Sequence, residues 1–393
     1  MTYPPVQRLL IALTQVLSLT VWFSVSAVVP SVQAEFGIGD TASVWLTGTV
    51  QLGFVVGALT STVLNLTDRI PMHILLGCGA ALAALSTLFV AVVDLGLSSV
   101  LVLRFLTGVF LAAVYPTGVK LMSSWAPSKD RGAAMGLLLG ALTLGSTLPH
   151  LIGGLVELPW RTVLLVTVVI GFTGAVLAFT LIRPGPYISR SRITLNPGYM
   201  ITMFRQRGPR LVNLGYFGHN WELYTVWTWL PIFVLHAPAS PQFHGFDQVV
   251  MFLALGVLGF VGCMIGGWAA DRYGRAYTAT TALVISGICC VLSPLAFLAP
   301  APVLAVFCGI WGASVIADSG VFSTAMTEVV DPRFVGTALS AKMAIGFALT
   351  VVSIQLTAVV ADLVGWQYAF LTLVPGPVIG ALAMFQFRPK SVS

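Results

Sequence analysis

Leu75-Leu-Gly-Cys-Gly-Ala-Ala-Leu-Ala-Ala-Leu-Ser-Thr-Leu-Phe-Val-Ala-Val-Val93 carries no charge and is apolar on every face. A run of this length satisfies its own backbone N–H and C=O groups in a bilayer only as a helix. A membrane barrel would instead show short strands of alternating polarity. The rest of the chain has the same character. Its 393 residues are 57% hydrophobic and 8% charged, with a mean hydropathy of +0.95. Soluble domains are about a quarter charged, so these few charges cannot coat a water-facing globule. At roughly 20 residues per span, the chain divides into twelve segments near 8–30, 43–64, 72–93, 99–121, 131–154, 161–182, 211–235, 248–269, 277–298, 302–324, 334–358 and 366–387.

The first segment follows Arg8, is too long for a signal-peptide core and shows no small-x-small cleavage site, so it counts as a span. Basic residues collect in cytoplasmic loops. With both termini inside, the cytoplasmic segments hold Arg8, Arg69, Arg131, Arg183, Arg205, Arg207, Arg210, Arg272 and Arg275 among others, and the outer loops hold only Arg161. The net charge of +6 is therefore expected to reflect topology and contact with anionic lipid, not nucleic-acid binding. Cys78, Cys263, Cys289, Cys290 and Cys308 all fall inside hydrophobic segments, as small packing residues would.

One long stretch, 183–210, mixes Pro, Gly, Ser and clustered Arg, and is expected to be a cytoplasmic linker between six-helix bundles at 1–182 and 211–393. Internal repetition supports the division. Asp68-Arg69 returns as Asp271-Arg272, Gly132 as Gly336 and Trp160 as Trp366, at offsets of about 205 residues.

The loop Gly267-Trp-Ala-Ala-Asp271-Arg272-Tyr-Gly274-Arg275 resembles the G-x-x-x-D-R-x-G-R motif of the major facilitator superfamily. The first-half copy keeps Asp68 and Arg69, with Leu64, Pro71 and Met72 at the Gly, Gly and Arg positions. Arg104-Phe-Leu-Thr-Gly108 resembles the family's R-x-x-Q-G. The resemblance spans essentially the whole chain and implies an all-α transporter of twelve transmembrane helices in two pseudo-symmetric bundles. It also implies a conformational latch of Asp271, Arg272, Arg275, Asp68 and Arg69. A carboxylate is favoured at a helix N-terminus, so Asp271 is expected near Arg131 and Gly132, and Asp68 near Phe334 to Gly336.

Ionisable groups inside spans are expensive and mark sites. They are Arg104, His150, His219, Glu222, Asp318 and Lys342, all on segments that the resemblance places around a central cavity (1, 4, 7, 10) or beside it (2, 5, 8, 11). Helical spacing aligns Gln15 with Trp22, Arg104 with Tyr115, and Trp311 with Asp318. Segment 7 carries Tyr216-Phe-Gly-His219-Asn220-Trp221-Glu222-Leu-Tyr224. Glu222 is the preferred proton carrier, with His219 one turn away and Asp318 as the second candidate, while an ion pair of Glu222 with Lys342 or a hydrogen bond that fixes packing is the structural alternative. Arg104, Lys342, Gln15, Asn220, Tyr115, Trp22, His150 and Trp311 complete the expected substrate site.

These features predict a multi-pass inner-membrane secondary transporter, not an enzyme, that moves a small polar or charged solute by alternating access, coupled to protons. It would be a symporter or antiporter, a monomer in the lipid bilayer, with no cofactor or metal. No nucleotide-binding glycine loop is present, which argues against an ATP-driven pump. Arg104 and Lys342 favour an organic anion. The carboxylates equally admit a cationic drug or metabolite, and a non-transporting solute sensor is the alternative from another class. Segment 7 loosely resembles bacterial cyanate and nitrate permeases. Gln51, however, occupies segment 2, where nitrate porters are understood to carry arginine, so nitrate is not expected.

Overall fold

The computed structural model describes residues 4–64, 66–93, 96–127, 130–155, 158–187, 197–243, 246–331 and 334–387; side chains at 40, 41, 68, 197, 198, 200 and 336 fall outside it. Among the described residues the chain is helical with no strand. The long helices are α1 (Pro4–Leu19), α2 (Trp45–Val63), α3 (Met72–Val92), α4 (Leu97–Ser124), α5 (Arg131–Leu155), α6 (Trp160–Leu181), α7 (Arg207–His236), α8 (Asp247–Tyr273), α9 (Arg275–Phe297), α10 (Ala301–Val329), α11 (Val335–Val364) and α12 (Trp366–Gln386). Ten of them, all but α1 and α7, are long and apolar enough to cross a membrane. α1 falls short at 16 residues. α7 is long, at 30 residues, but its stretch carries Arg207, Arg210, His219 and Glu222.

Lipid offers helices no hydrophobic drive toward one another, so small residues that let backbones approach hold them together. Gly53 on α2 and Gly108 on α4 show this, since a Cβ at either would collide with a carbonyl of the other helix, Phe105 O or Val50 O. α3 lies against α4 and α6, α7 against α11 and α12, and α9 against α10 and α12. Two further seams, α5 along α8 and α2 along α11, join stretches far apart in sequence. Large apolar side chains such as Val169, Leu295, Val306 and Phe385 are exposed on the outside of the assembly, as a lipid-facing surface requires. Gly274 and Gly365 make the tight turns α8–α9 and α11–α12 at φ 93° and 88°, a conformation only glycine adopts freely.

Three helices depart from the uniform spans expected. The first segment does not run unbroken over 8–30. α1 stops at Leu19, residues 20–25 form turns, and the chain resumes as the 3-10 turn Ser26–Val28 and the short helix Val29–Phe36. α10 breaks at Ala317 and Asp318 between its helical parts Ala301–Ile316 and Ser319–Val329. α8 contains a π-helical stretch, Phe252–Val257, where Thr143 on α5 donates its hydroxyl to Gly256 O at 3.2 Å. Irregular backbone at membrane depth persists where protein groups take up the freed carbonyls.

Candidate functional site

A narrow cavity opens between α4, α5, α7, α10 and α11, lined by Tyr115, Leu139, Leu142, Tyr216, His219, Asn220, Leu223, Tyr224, Ile316, Ser319 and Phe347. α7 supplies much of this wall, because the i, i+3, i+4 spacing of Tyr216, His219, Asn220, Leu223 and Tyr224 puts them on one face. The Asn220 side-chain amide is buried, and its NH2 has no hydrogen-bond partner. Aromatic rings form much of the rest of the wall beside Leu139, Leu142, Leu223 and Ile316, with Phe347 5.0 Å from Tyr224 by ring centroids.

The break in α10 places a buried Asp–His pair beside this cavity. Asp318 occupies the capping position of Ser319–Val329 but makes no side-chain cap. Its carboxylate turns instead to His219, with Oδ1 2.8 Å from Nδ1, close enough for an ion pair though not aligned as a hydrogen bond. On the other ring nitrogen, His219 Nε2 meets the Ser319 hydroxyl at 2.8 Å. His219 and Asp318 are 2% and 1% exposed, so the row Asp318, His219, Ser319 runs from the protein interior to the cavity wall.

Lys342 lies behind the wall, fully buried. Its ammonium donates to Ser323 Oγ at 3.0 Å and sits 4.2 Å from the centre of the Tyr216 ring. Among the described residues it has no carboxylate partner. Gly346, one turn further along α11, makes the arrangement possible, since a Cβ there would strike the Asn220 amide and the Tyr216 ring.

Glu222, the preferred proton carrier from sequence, is not in the cavity wall. It points between α7, α9 and α10, where Trp311 Nε1 and Cys290 Sγ donate to Oε1 at 2.6 and 3.3 Å, and Ser286 Oγ donates to Oε2 at 2.9 Å. It makes no ion pair with Lys342, and Trp311 is committed to it rather than to the cavity. Arg104 is also engaged by protein. Its guanidinium donates to Val21 O and Ser24 Oγ at 3.1 and 3.5 Å, to Trp22 O at 2.5 Å and to Leu46 O at 3.4 Å, taking up the carbonyls that the break in α1 exposes.

The remaining expected residues spread more widely. Tyr115 lines the cavity. Trp22 joins an aromatic cluster, 5.0 Å from Phe54 and 6.1 Å from Tyr224 and Phe347 by centroids, and its indole N–H is unpartnered. Gln15 donates to Val114 O at 3.3 Å, and His150 meets Gln248 across the α5–α8 seam; neither lines the cavity. At the Arg131 end of that seam, Asp271 accepts from Ala133 N–H at 3.1 Å and from Arg275 Nη1 at 2.9 Å, and a Cβ on Gly132 would strike its carboxylate. Arg275 reaches Glu328 as well, at 3.3 Å. Arg272 stacks on Trp268 and Tyr273, and Arg69 is exposed. The Asp68 side chain, the Gly336 side of its expected contact and much of the 183–210 stretch lie outside the described residues. Ser286, Ser319, Ser323, Cys290 and Gly346 were not legible as partners, because each acts only across a helix interface. Tyr216 carried a signal, sitting one turn before His219 and Asn220.

A helical membrane protein with polar groups gathered at a central void is the class that this geometry defines. The model of the Major Facilitator Superfamily matches residues 11–354, and the chain belongs to that family. It is similar to sialin of Ovis aries, 24% identical over 58% of this chain and 49% of that protein. It is also similar to a D-galactonate transporter of Escherichia coli, 27% identical over 45% of this chain and 46% of the relative. The chain thus spans about half the length of the curated relatives it matches. The structure of the human organic anion transporter MFSD10 superposes with a TM-score of 0.76 at 15% identity, over 98% of this chain and 100% of that one, a likeness of fold.

Proposed function

We propose that this chain is a secondary active transporter that carries a small organic anion through the central cavity by alternating access, coupled to protons. The observation that carries the reading is Lys342, a buried ammonium held beside the cavity by a hydroxyl and a ring, with no carboxylate to neutralise it. A buried charge without a counter-ion is costly, and an anionic solute supplies what the fold withholds. The names of the relatives, a D-galactonate transporter, a hexuronate transporter and a probable sulfoacetate transporter, agree with an anionic cargo.

The Asp318–His219–Ser319 row is the proton site of this reading, in place of Glu222. His219 pairs with the buried Asp318 carboxylate and reaches the Ser319 hydroxyl on the cavity wall, so a proton held in this row lies within reach of the cargo. Export of a cation is the weaker reading, because Asp318 is taken by His219 and Glu222 by three donors, which leaves no carboxylate turned to the void. The same proposal takes the chain as twelve spans in two bundles, 1–182 and 211–393, joined by 183–210. Both termini would be cytoplasmic and the protein a monomer in the inner cell membrane.

The test is counterflow in proteoliposomes. Vesicles loaded with an unlabelled sugar acid are expected to accumulate the labelled anion, and an imposed pH gradient is expected to raise uptake. Binding without exchange would mark a sensor instead, and accumulation of organic cations alone would reverse the sign of the cargo.

A further inference from the structure

The buried ionisable side chains of the described residues form a short inventory: Arg104, His150, His219, Glu222, Asp318 and Lys342. Arg104 is spent on the carbonyls of α1 and α2 and on Ser24. Glu222 is spent on Trp311, Ser286 and Cys290. His150 meets Gln248, away from the cavity, and Asp318 and His219 face each other. Arg104 has no carboxylate either, but its donors are taken up away from the cavity, and Lys342 alone keeps N–H donors free beside it. An ammonium has three N–H donors, and Ser323 accepts one of them. The Tyr216 ring stabilises the cation through its quadrupole without cancelling its charge.

We infer that Lys342, held against the Tyr216 ring for which Gly346 makes room, is the single charge that meets the substrate, so the site selects monovalent organic anions and rejects divalent ones. The inference rests on the preceding reading of the cavity as an anion site and adds the valence of the cargo and the residues that set it. One carboxylate or sulfonate beside Tyr216 and the unpartnered Asn220 NH2 is balanced by Lys342. A second anionic group would find no unpaired cation, since any charge on His219 is balanced by Asp318. It would enter a cavity whose polar lining is the hydroxyls of Tyr115, Tyr216, Tyr224 and Ser319 with the Asn220 amide and the His219 ring, none of them a permanent cation, with the Asp318 carboxylate behind His219 opposing it. Uncompensated charge in such surroundings is what an ion-selective pocket uses to exclude the wrong ligand. Gly346 matters because any side chain there displaces both Tyr216 and Asn220, uncoupling ring from ammonium while the charge itself stays.

Direct binding to the purified full-length protein tests this, using matched pairs that differ by one charge: D-galactonate and D-galactarate, D-glucuronate and D-glucarate, isethionate and sulfoacetate, with galactitol and choline as neutral and cationic controls. In every pair that binds, the monoanion is expected to bind at least tenfold more tightly. Lys342→Gln is expected to weaken the monoanion by more than tenfold and bring the two members of a pair within about threefold of each other. Gly346→Ala is expected to weaken the monoanion and narrow the same ratio. A Lys342 that only braces the fold would lower both affinities together and leave their ratio intact, which would overturn the inference. Equal or tighter binding of the dianions by the wild-type protein would also overturn it, while leaving the anion reading standing. Binding of galactitol or choline with no response to any anion, or no binding of any anion in the panel, would defeat the anion reading itself.

Discussion

Glu222 and Asp318 sit on the same α7–α10 interface, both buried, yet their neighbours divide their work. Every polar contact of Glu222 is a donor fixed by the fold, from Trp311, Ser286 and Cys290, so it ties three helices together away from the cavity wall. Asp318 faces His219, which reaches Ser319 on the wall. Their shared character was legible in the sequence, because an ionisable group within an apolar span stands out. Their separate roles were not, because Ser286 and Cys290 lie on a helix with no ionisable residue inside its span. Glu222→Gln is therefore expected to lower stability by about 1–3 kcal/mol, the range for disturbing buried hydrogen bonds to a charged group, as the amide keeps one acceptor for Trp311 and the Ser286 hydroxyl rotates. Its pH-driven uptake should match wild type. Asp318→Asn is expected to do the reverse, abolishing pH-driven accumulation while counterflow continues. Thermal unfolding in detergent and paired transport assays read both; loss of pH coupling in Glu222→Gln alone would return the proton to Glu222.

Hydrophobic periodicity located the long helices to within a few residues at most ends, because all-round apolarity leaves a membrane segment little choice but to be helical. It missed the interruptions for a related reason. The break after Leu19 depends on Arg104, 83 residues from Val21 in sequence, and no pattern within 8–30 announces that partner. The forked guanidinium gives the segment its form by taking Val21 O, Trp22 O, Leu46 O and Ser24 Oγ together, a task for which planar, multiple donors are suited and an ammonium is not. Arg104→Lys keeps the charge and loses the fork. Leaving a buried carbonyl without its donor costs about 1–3 kcal/mol, so this variant is expected to unfold at a lower temperature and to show faster amide exchange at residues 20–25, with α4 little changed. Unaltered exchange over 20–25 would mean that the break is intrinsic to the Thr20 to Val25 sequence.

Across the whole molecule, the seams α5–α8 and α2–α11 are closed, among the described residues, by small groups rather than broad charge networks. Asp271 meets Ala133 N–H at one end of the first seam, His150 meets Gln248 towards the other, and Thr62 and Ser340 share a hydroxyl contact at 3.0 Å on the second. Gly132, Gly136 and Gly267 bring the α5 and α8 backbones together around Cys263, a buried free thiol about two turns along α8 from Asp271. The repeated Asp-Arg pair made this contact searchable from sequence, since a carboxylate is favoured at a helix N-terminus. Nothing in the residue pattern marks a native cysteine as its reporter. An exposed carboxylate at a helix N-terminus contributes about 0.3–1 kcal/mol. Removing it would therefore shift a two-state seam by only about two- to fivefold, since the population follows the exponential of that energy. Asp271→Ala is thus expected to raise the rate of Cys263 alkylation by N-ethylmaleimide by about that factor, followed by peptide mass spectrometry, with Cys289, Cys290 and Cys308 unchanged as internal controls. Arg275→Gln, which removes the second donor to Asp271, should move Cys263 in the same direction. If Cys263 stays protected in both variants, glycine packing alone closes the seam and Asp271 only orients the loop. If all four thiols speed up together, the substitution has loosened the fold and the latch has no separate part in it.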